Sequence, residues 1–343
     1  MTTFLDPELL KKRSNLPWVE KYRPDKISNI ISHKEILKTL KTLINKDNFP
    51  HVIFYGPPGT GKTTTILACA KHMYGLSYVN MVLELNGSDD RGINVVREQI
   101  KEFSQSHMFN NEIFNVNKKK HKLVILDEAD SMTYDAQFAL RRVIETYTNT
   151  TRFCLICNYS TKIIPSLQSR CIIFRFSPIP YRDHLTHIKK IIEYELIKID
   201  DQVIEEIIKL SEGDLRKSLN VLQSLYMTYE EKIDIDMLYK NIGHSLPQEK
   251  KQILDIIIKS DILTAYNYIK QKESEKSLSL NDILNDLVKY LINKILESSL
   301  KISQQIKIAK IFSELSEIEY FLAGNINTSI QLGTIISIFK QYN

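Results

Sequence analysis

Short apolar runs rich in β-branched residues recur along the chain between His51 and Phe176. The segments between these runs repeat apolar residues every three to four positions, as Val96, Ile100 and Phe103 do, which is typical of helices with one buried face. This alternation predicts a mostly parallel sheet with helices packed on it, a doubly wound α/β fold. The predicted strands are residues 51–55, 81–85, 122–127, 152–157 and 172–176.

The hydrophobic pattern changes after Pro178 and Pro180, where the strand-like runs stop and helical stripes continue. Two turn signals divide this all-α part. Glu212-Gly213-Asp214 ends one stripe and restarts another, and a second turn cluster covers residues 242–247. We therefore predict an α/β domain over residues 1–180, a small helical domain over 181–238 and a further helical domain over 239–343.

The composition is typical of a folded globular protein. Hydrophobic residues make up 43% and charged residues 25% of 343 positions, which excludes a disordered, collagen-like or coiled-coil chain. No run of 18 apolar residues occurs, so we expect no membrane-spanning helix and no membrane partner. The net charge of +5 permits contact with a polyanion without requiring it.

The four cysteines lie in apolar surroundings and the first residues contain no apolar signal core, so we expect a reducing compartment inside the cell. Cys154 and Cys157 have CxxC spacing, but they fall in a predicted strand with no second pair or histidine cluster nearby, which argues against a zinc site. Lys11-Lys12-Arg13 fits either a nuclear address or an ordinary solvated patch.

Residues 56–63, which we call the phosphate loop, fit the pattern G-x-x-x-x-G-K-[ST] between a predicted strand and a predicted helix. Glycines allow successive backbone N–H groups to face phosphate oxygens, and the helix start adds its positive dipole end. We expect Lys62 to reach the β- and γ-phosphates of ATP and Thr63 to hold Mg²⁺. The expected nucleotide contacts are Gly56, Pro57, Pro58, Gly59, Thr60, Gly61, Lys62, Thr63 and Thr64.

Acidic residues follow the predicted strand 122–127 at the sheet edge where parallel sheets bind ligands. Asp127 can orient Mg²⁺, and Glu128 is placed to polarise the water that attacks the γ-phosphate. Asn158 ends the next strand and could position that water, or it could serve turn chemistry alone. Arg216 begins a helix of the second domain and could reach the phosphates, or it could be an exposed helical arginine.

The order of several motifs resembles the small subunits of replication factor C, the eukaryotic sliding-clamp loader of the AAA+ class. The resemblance covers nearly the whole chain, and the run 149–171 is most similar to the branch numbered three in yeast and five in animals. Two local departures from the family pattern are Ser32-His33 and Asn86-Gly87-Ser88. The matching motifs are residues 17–24, the phosphate loop, residues 85–92, 127–130 and 139–142, and Ser169-Arg170-Cys171.

The resemblance implies roles for individual residues of the nucleotide site. The segment with Val19, Tyr22, Arg23 and Pro24 would line the adenine side. Asn158 and Arg216 would be the two sensors of the γ-phosphate. Arg170 would be an arginine finger that completes the neighbouring subunit's site, although its position alone favours a salt bridge at a strand edge.

The resemblance also implies partners: sister subunits in a hetero-oligomer, a ring-shaped sliding clamp and primer-template DNA, all in the nucleus. Residues 181–238 would form a lid over the nucleotide and residues 239–343 a collar between subunits. Arg91, Arg97 and Lys101 would contact template phosphates, although charged helices are usually just solvated. The clamp-facing surface would lie around Ser106, Met108, Phe109 and Phe114, where apolar side chains could equally be packing.

Two other functions fit parts of the sequence. One is an AAA+ remodeller or branch-migration motor that works as a homohexamer, although residues 88–92 offer none of the aromatic side chains expected in its pore loops. The other is a subunit that binds ATP only to maintain its shape while its neighbours hydrolyse ATP. The sequence argues against this function, because it contains Lys62, Asp127 and Glu128.

Overall fold

A computed structural model describes residues 15–88, 92–105, 121–229, 232–243, 246–276, 279–297, 302–324 and 328–342. The described residues form two compact units, one that ends at Lys232 and one that begins at Ile233. The first contains a five-stranded parallel sheet, which confirms the predicted α/β class. The second contains only helices in the part of it that the structure describes.

The strands form close to where the apolar runs predict them, because short runs of β-branched and aromatic residues suit a parallel sheet, whose three inner strands are buried here on both faces. Their order in the sheet is β2-β3-β4-β1-β5, so β1 lies between β4 and β5. The strands are β1 Val52–Tyr55, β2 Val82–Asn86, β3 Lys122–Asp127, β4 Thr151–Cys157 and β5 Ile172–Arg175.

Helices of the first unit cover the sheet and then continue beyond it as three helices, α8 to α10, that we call the lid. Short 3₁₀ turns at Ile27–Asn29, Gly75–Ser77, Ala129–Ser131 and Ser160–Lys162 connect elements. The helices are α1 Trp18–Lys21, α2 Lys34–Asn45, α3 Lys62–Tyr74, α4 Tyr78–Met81, α5 Gly92–Gln105, α6 Tyr134–Tyr147, α7 Pro165–Gln168, α8 Tyr181–Glu195, α9 Asp201–Ser211 and α10 Leu215–Thr228.

The two faces of the sheet pack into two separate hydrophobic cores, because neighbouring residues of a strand point to opposite faces. Phe54 belongs to the core shared with α2 and α3, whereas Ile53 belongs to the core shared with α6. The same alternation separates Cys154 from Cys157, whose side chains lie in opposite cores. The CxxC spacing therefore directs these two thiols away from each other.

The lid is joined to the end of the sheet region by a close backbone approach at Gly213. The Ile179 N–H donates to the Gly213 carbonyl at 3.2 Å. Gly213 has φ of +85°, and a Cβ there would lie 2.6 Å from Cβ of Pro178. Glycine is therefore required at the turn between α9 and α10, and the predicted stop and restart at this point is confirmed.

In the second unit, the helices from Pro247 onward pack around one mostly aliphatic core that includes Leu287, Leu315 and Ile335. Its helices are α11 Ile235–Ile242, α12 Pro247–Lys259, α13 Ile262–Lys276, α14 Leu280–Glu297, α15 Ile302–Ala323 and α16 Thr328–Tyr342. Within the described ranges, no helix is long and apolar enough to cross a membrane. The domain boundaries at 180/181 and 238/239 stay predictions.

Truncation of Phe54 tests the packing of the first unit. Phe54 is fully buried, with ring centroids 5.7 Å from Phe174 and 5.1 Å from Phe176. We expect Phe54→Ala to lower the free energy of unfolding by about 3–5 kcal/mol, because a large side chain is lost from a closed core. Urea unfolding followed through Trp18, the single tryptophan, reports on this unit.

Phe138→Ala is the matched control, because Phe138 lies on α6 in the same unit and is 51% exposed. Its unfolding free energy should change by no more than about 0.5 kcal/mol. Equal losses in the two variants would contradict the assignment of Phe54 to the core.

Candidate active site

The phosphate loop joins β1 to α3 and brings its backbone unusually close to two neighbours. A Cβ on Gly56 would lie 2.0 Å from the Phe176 carbonyl oxygen, at the end of β5. Gly59 has φ of +66°, and a Cβ there would lie 1.6 Å from Asp214 Oδ1 of the lid. The loop is therefore packed between the sheet on one side and the lid on the other.

The Lys62 ammonium is held at the centre of the phosphate loop. Its Nζ donates to the carbonyls of Gly56 at 2.7 Å and Pro57 at 2.8 Å, and to Asn158 Oδ1 at 3.1 Å. Burial lowers the pKa of Lys62, while the nearby carboxylate of Asp127 acts in the opposite direction. The phosphate loop and the residue that follows β4 thus both contact the ammonium of Lys62.

A hydroxyl and a carboxylate meet where α3 faces the end of β3. Thr63 Oγ1 donates to Asp127 Oδ2 at 2.7 Å, and the other carboxylate oxygen of Asp127 accepts from the Glu128 N–H at 2.9 Å. Glu128 has φ of +52°, and its side chain is exposed at the pocket. The chain reverses direction immediately after Asp127, so that two adjacent carboxylates line the same pocket.

Asp130 holds the turn that carries Asn158. Its Oδ2 accepts from the backbone N–H of Asn158 at 3.1 Å and of Tyr159 at 3.2 Å. The buried amide of Gln137 adds a second connection, because its Oε1 accepts from Ile164 N–H at 2.8 Å and its Nε2 donates to the Lys162 carbonyl at 3.0 Å. The loops after β3 and β4 therefore form one hydrogen-bonded edge.

The start of α10 lies directly on the phosphate loop. The Leu215 N–H donates to the Gly59 carbonyl at 3.3 Å, and Asp214 Oδ1 accepts from Lys217 N–H at 3.1 Å as the helix N-cap. This cap fixes the first turn of α10, which carries Arg216 into the pocket wall. The lid and the sheet edge thus contribute to a single cavity.

Most of the site residues expected from the sequence line this one cavity. Gly56 and Pro57 do not line it, since their carbonyls face Lys62 instead. Leu215 and Leu219 of α10 also line it, and sequence reasoning missed them; their i, i+4 spacing next to Arg216 was the available signal. The lining residues are Val19, Tyr22, Arg23, Pro24, Pro58, Gly59, Thr60, Gly61, Lys62, Thr63, Thr64, Asp127, Glu128, Asn158, Leu215, Arg216 and Leu219.

Arg170 lies apart from this cavity, on the turn between α7 and β5. Its guanidinium forms an ion pair with Glu145 of α6 and donates to the Ser166 carbonyl at 2.7 Å. The salt bridge that its position favours is therefore present. The side chain remains 34% exposed, so it is also accessible from outside the chain.

The residues expected to contact DNA and the clamp lie only in part within the described residues. Lys101 is exposed on α5, and Arg97 lies on the same helix. Arg91 lies outside the described residues, as do Ser106, Met108, Phe109 and Phe114.

Comparison with protein families divides the chain into three matched segments. The model described as the ATPase family associated with various cellular activities (AAA) matches residues 52–179. The RCF1/5-like, AAA+ ATPase lid domain matches residues 186–227, and the replication factor C C-terminal domain matches residues 246–337.

Curated relatives are similar to the chain over nearly its whole length. Probable replication factor C subunit 5 of Dictyostelium discoideum is 46% identical over 331 residues, which are 96% of this chain and 92% of that protein. Human replication factor C subunit 5 is 44% identical over 330 residues, which are 96% of this chain and 93% of that protein. Replication factor C subunit 3 of Saccharomyces cerevisiae is 42% identical and covers 96% and 94%.

The parallel sheet, the phosphate loop and the lid together define a P-loop ATPase of the AAA+ class. Over its whole length, the chain belongs to the replication factor C small subunits, the branch numbered 5 or 3, which are ATPases of the multi-subunit clamp loader in DNA replication.

The two hydrogen bonds to Asp130 predict a separation of ATP binding from hydrolysis. Asp130→Ala removes the acceptor that holds the Asn158 turn, while the phosphate loop keeps its contacts. We expect single-turnover hydrolysis in the assembled complex to slow by about 10- to 100-fold, because small displacements near reacting groups have large rate effects. ATP affinity should change by about twofold at most.

Asp135→Ala is the matched control, because Asp135 is exposed in the first turn of α6. This substitution should leave both the single-turnover hydrolysis rate and the ATP affinity unchanged. A parallel loss of affinity and rate in Asp130→Ala would instead indicate general damage to the site.

Proposed function

We propose that the chain binds ATP and Mg²⁺ in the cavity between the sheet edge and the lid. We further propose that it works in a heteropentamer that opens a ring-shaped sliding clamp and loads it onto primer-template DNA. The observation that carries the proposal is the convergence of Lys62, the Thr63–Asp127 pair, Asn158 and Arg216 on one cavity. Similarity to replication factor C subunits over 96% of the chain supports the assembly.

Lys62 and the loop backbone would bind the triphosphate. Phosphate oxygens carry charge and are stronger acceptors than the neutral carbonyls of Gly56 and Pro57, so the ammonium would exchange those partners for the β- and γ-phosphates. The Lys62–Asn158 contact, 3.1 Å long, would keep the sensor next to the γ-phosphate. Arg216 would approach the same phosphate from the lid.

Thr63 and Asp127 fit a magnesium ion, because both offer hard oxygen atoms and these lie 2.7 Å apart beside the phosphate loop. Bound Mg²⁺ neutralises charge on the β- and γ-phosphate oxygens. Glu128, the next residue, would orient the attacking water and accept its proton. Asn158 would hold that water or the γ-phosphate in line.

Arg170 would act on the ATP site of a neighbouring subunit. Its exposure, and the fact that it does not line the cavity of its own chain, support a role in trans. The Glu145 ion pair would orient the guanidinium before assembly, and an exposed pair of this kind is weak enough to be exchanged for phosphate oxygens. Hydrolysis would then depend on assembly, since an arginine finger can contribute about 10³- to 10⁵-fold in rate.

DNA contact would come from Arg91, Arg97 and Lys101. Phosphate contacts of this kind are independent of base sequence and weaken as salt increases, which suits a guide along template DNA. The exposure of Lys101 on α5 is compatible with this role. We place the protein in the nucleus, with DNA repair as a second process that uses the same loading reaction.

The collar role of residues 239–343 is part of the same proposal.

Two competing functions fit parts of the sequence. The first is a homohexameric remodeller, and the second is a subunit that binds ATP without hydrolysing it. Matches to the lid and C-terminal models of the replication factor C family favour the clamp loader over the first. The intact set of Lys62, Asp127 and Glu128 favours hydrolysis over the second.

Isolation of the native assembly tests the proposed function. The tagged chain is purified from its own cells with a non-hydrolysable ATP analogue, with and without primed DNA, and the mass and stoichiometry are measured. We expect five different ATPase-type subunits that retain a ring-shaped clamp only when nucleotide is present. A homohexamer, or a lone chain that hydrolyses ATP unaided, would contradict the clamp-loader function.

Two substitutions separate the site of this chain from that of its neighbour. Lys62→Ala should weaken ATP binding at this site by at least about 10-fold, because a charged contact to phosphate is lost. Arg170→Ala should leave ATP binding here unchanged and slow turnover of the complex. Site-resolved nucleotide binding and steady-state hydrolysis of the assembled complex measure the two effects.

Arg182→Ala is a control for loss of an exposed arginine, since Arg182 lies on the outer side of α8. It should affect neither quantity. Equal losses of local ATP affinity in Lys62→Ala and Arg170→Ala would contradict the assignment of Arg170 to a neighbouring site.

A further inference from the structure

Residues 18–24, which we call the base segment, contribute Val19, Tyr22, Arg23 and Pro24 to the wall of the cavity, and the first part of this segment is fixed to the lid. The backbone N–H of Trp18 donates to Gln223 Oε1 of α10 at 2.9 Å. The Trp18 ring lies 5.3 Å from the Tyr226 ring, also on α10. Trp18 itself is buried.

The chain leaves the lid just after the base segment. Asp25 forms an ion pair with Lys71 of α3, and Ile27 is buried in the core shared with α2 and α3. Arg23 and Pro24 therefore lie between an anchor on the lid and an anchor on the sheet region. Their position at the cavity depends on how both anchors are held.

Glu195, the last residue of α8, connects the base segment to the lid through one carboxylate oxygen. Oε1 accepts from both Lys21 Nζ and the hydroxyl of Tyr22. The side chains of Lys21 and Glu195 are only 11% and 14% exposed. A charge pair that is this enclosed is costly to break on one side, because the remaining partner stays buried without compensation.

Aromatic rings enclose the same contact. Lys21 Nζ lies 5.3 Å from the Tyr22 ring centroid and 5.8 Å from that of Tyr194. The Tyr22 and Tyr194 rings meet edge to face at 6.2 Å. Burial, and then the hydrogen bond to Glu195, raises the pKa of Tyr22 further above its ordinary value.

We infer that Glu195 is a positioning residue for the nucleobase end of the ATP site. It fixes Lys21 and Tyr22 to α8, and Tyr22 continues directly into Arg23 and Pro24 at the cavity wall. Glu195 itself does not line the cavity, so it acts through the base segment. This inference rests on the proposed function only in assigning the base segment to the adenine side.

The contact also links base recognition to the lid. Because α8 and α10 both hold the base segment, a shift of the lid moves one wall of the base pocket with it. The phosphate loop has its own contacts, with the sheet and with the start of α10, and these contacts do not involve Glu195. Loss of Glu195 should therefore weaken binding of ligands that carry a base, and leave binding of a bare triphosphate nearly unchanged.

Titration of the full chain with two ligands tests this inference. Affinities for Mg-ATP and for inorganic tripolyphosphate with Mg²⁺ are measured by calorimetry for the unaltered chain and for Glu195→Ala. We expect ATP to bind about 10- to 150-fold more weakly to the variant, the range that corresponds to loss of one hydrogen bond to a charged group. Tripolyphosphate should change by no more than about twofold.

Three further variants sharpen the result. Glu193→Ala, an exposed glutamate two residues earlier on α8, should behave as the unaltered chain. Tyr22→Phe removes one donor and keeps the ring, so it should show a smaller loss with the same dependence on ligand. Glu195→Gln keeps an acceptor for Tyr22 and should recover part of the ATP affinity; it also replaces Glu195→Ala if that variant does not fold.

Equal weakening of ATP and tripolyphosphate, or no change in either, would overturn the inference while leaving the ATP site in place. A chain that binds tripolyphosphate and ATP equally well before any substitution would also overturn it, because the base then contributes nothing. Absence of ATP binding to the unaltered chain would overturn the proposed function itself.

Discussion

The nucleotide cavity depends on the contact between the start of α10 and the phosphate loop at Gly59. Asp214 caps that helix and lies where any side chain at position 59 would have to be, and Leu215 donates to the Gly59 carbonyl. Only glycine permits this approach at a positive φ angle. Because the cap and the loop share this contact, Arg216 faces the phosphate loop as soon as α10 forms.

The opposite side of the cavity is built from loops that parallel strands leave at one edge. Parallel strands end at the same edge, so residues from β3 and β4 meet although they are distant in sequence. Asp130 and Gln137 then accept hydrogen bonds from backbone N–H groups of the loop after β4, and that of Ile164, which is buried, would otherwise lack a partner. Asn158 and Asp127 line the cavity from this hydrogen-bonded edge, and the lid contributes Leu215, Arg216 and Leu219 to its wall.

The residues that we propose to carry direct chemistry could be found from the sequence, whereas most of those that position them could not. The phosphate loop, Asp127, Glu128 and Asn158 follow predicted strands, and a strand end has a known place in a parallel sheet. The contacts of Asp130 and Glu195 have no such signal, because a hydrogen bond across 28 residues or across 174 leaves no trace in local spacing. Arg170 shows the same limit, since its salt bridge and its exposure both depend on the packing of α6.

The sequence by itself determined the order of strands and helices, the α/β class and the position of the phosphate loop, because these follow from hydrophobic period and glycine spacing within short stretches. Tertiary structure decided which walls meet around the nucleotide. Lys62 reaches Asn158, and Tyr22 reaches Glu195, only after sheet and lid have packed. Local sequence limits the backbone of each segment, but the distance between two segments is set by the buried surfaces that hold them together.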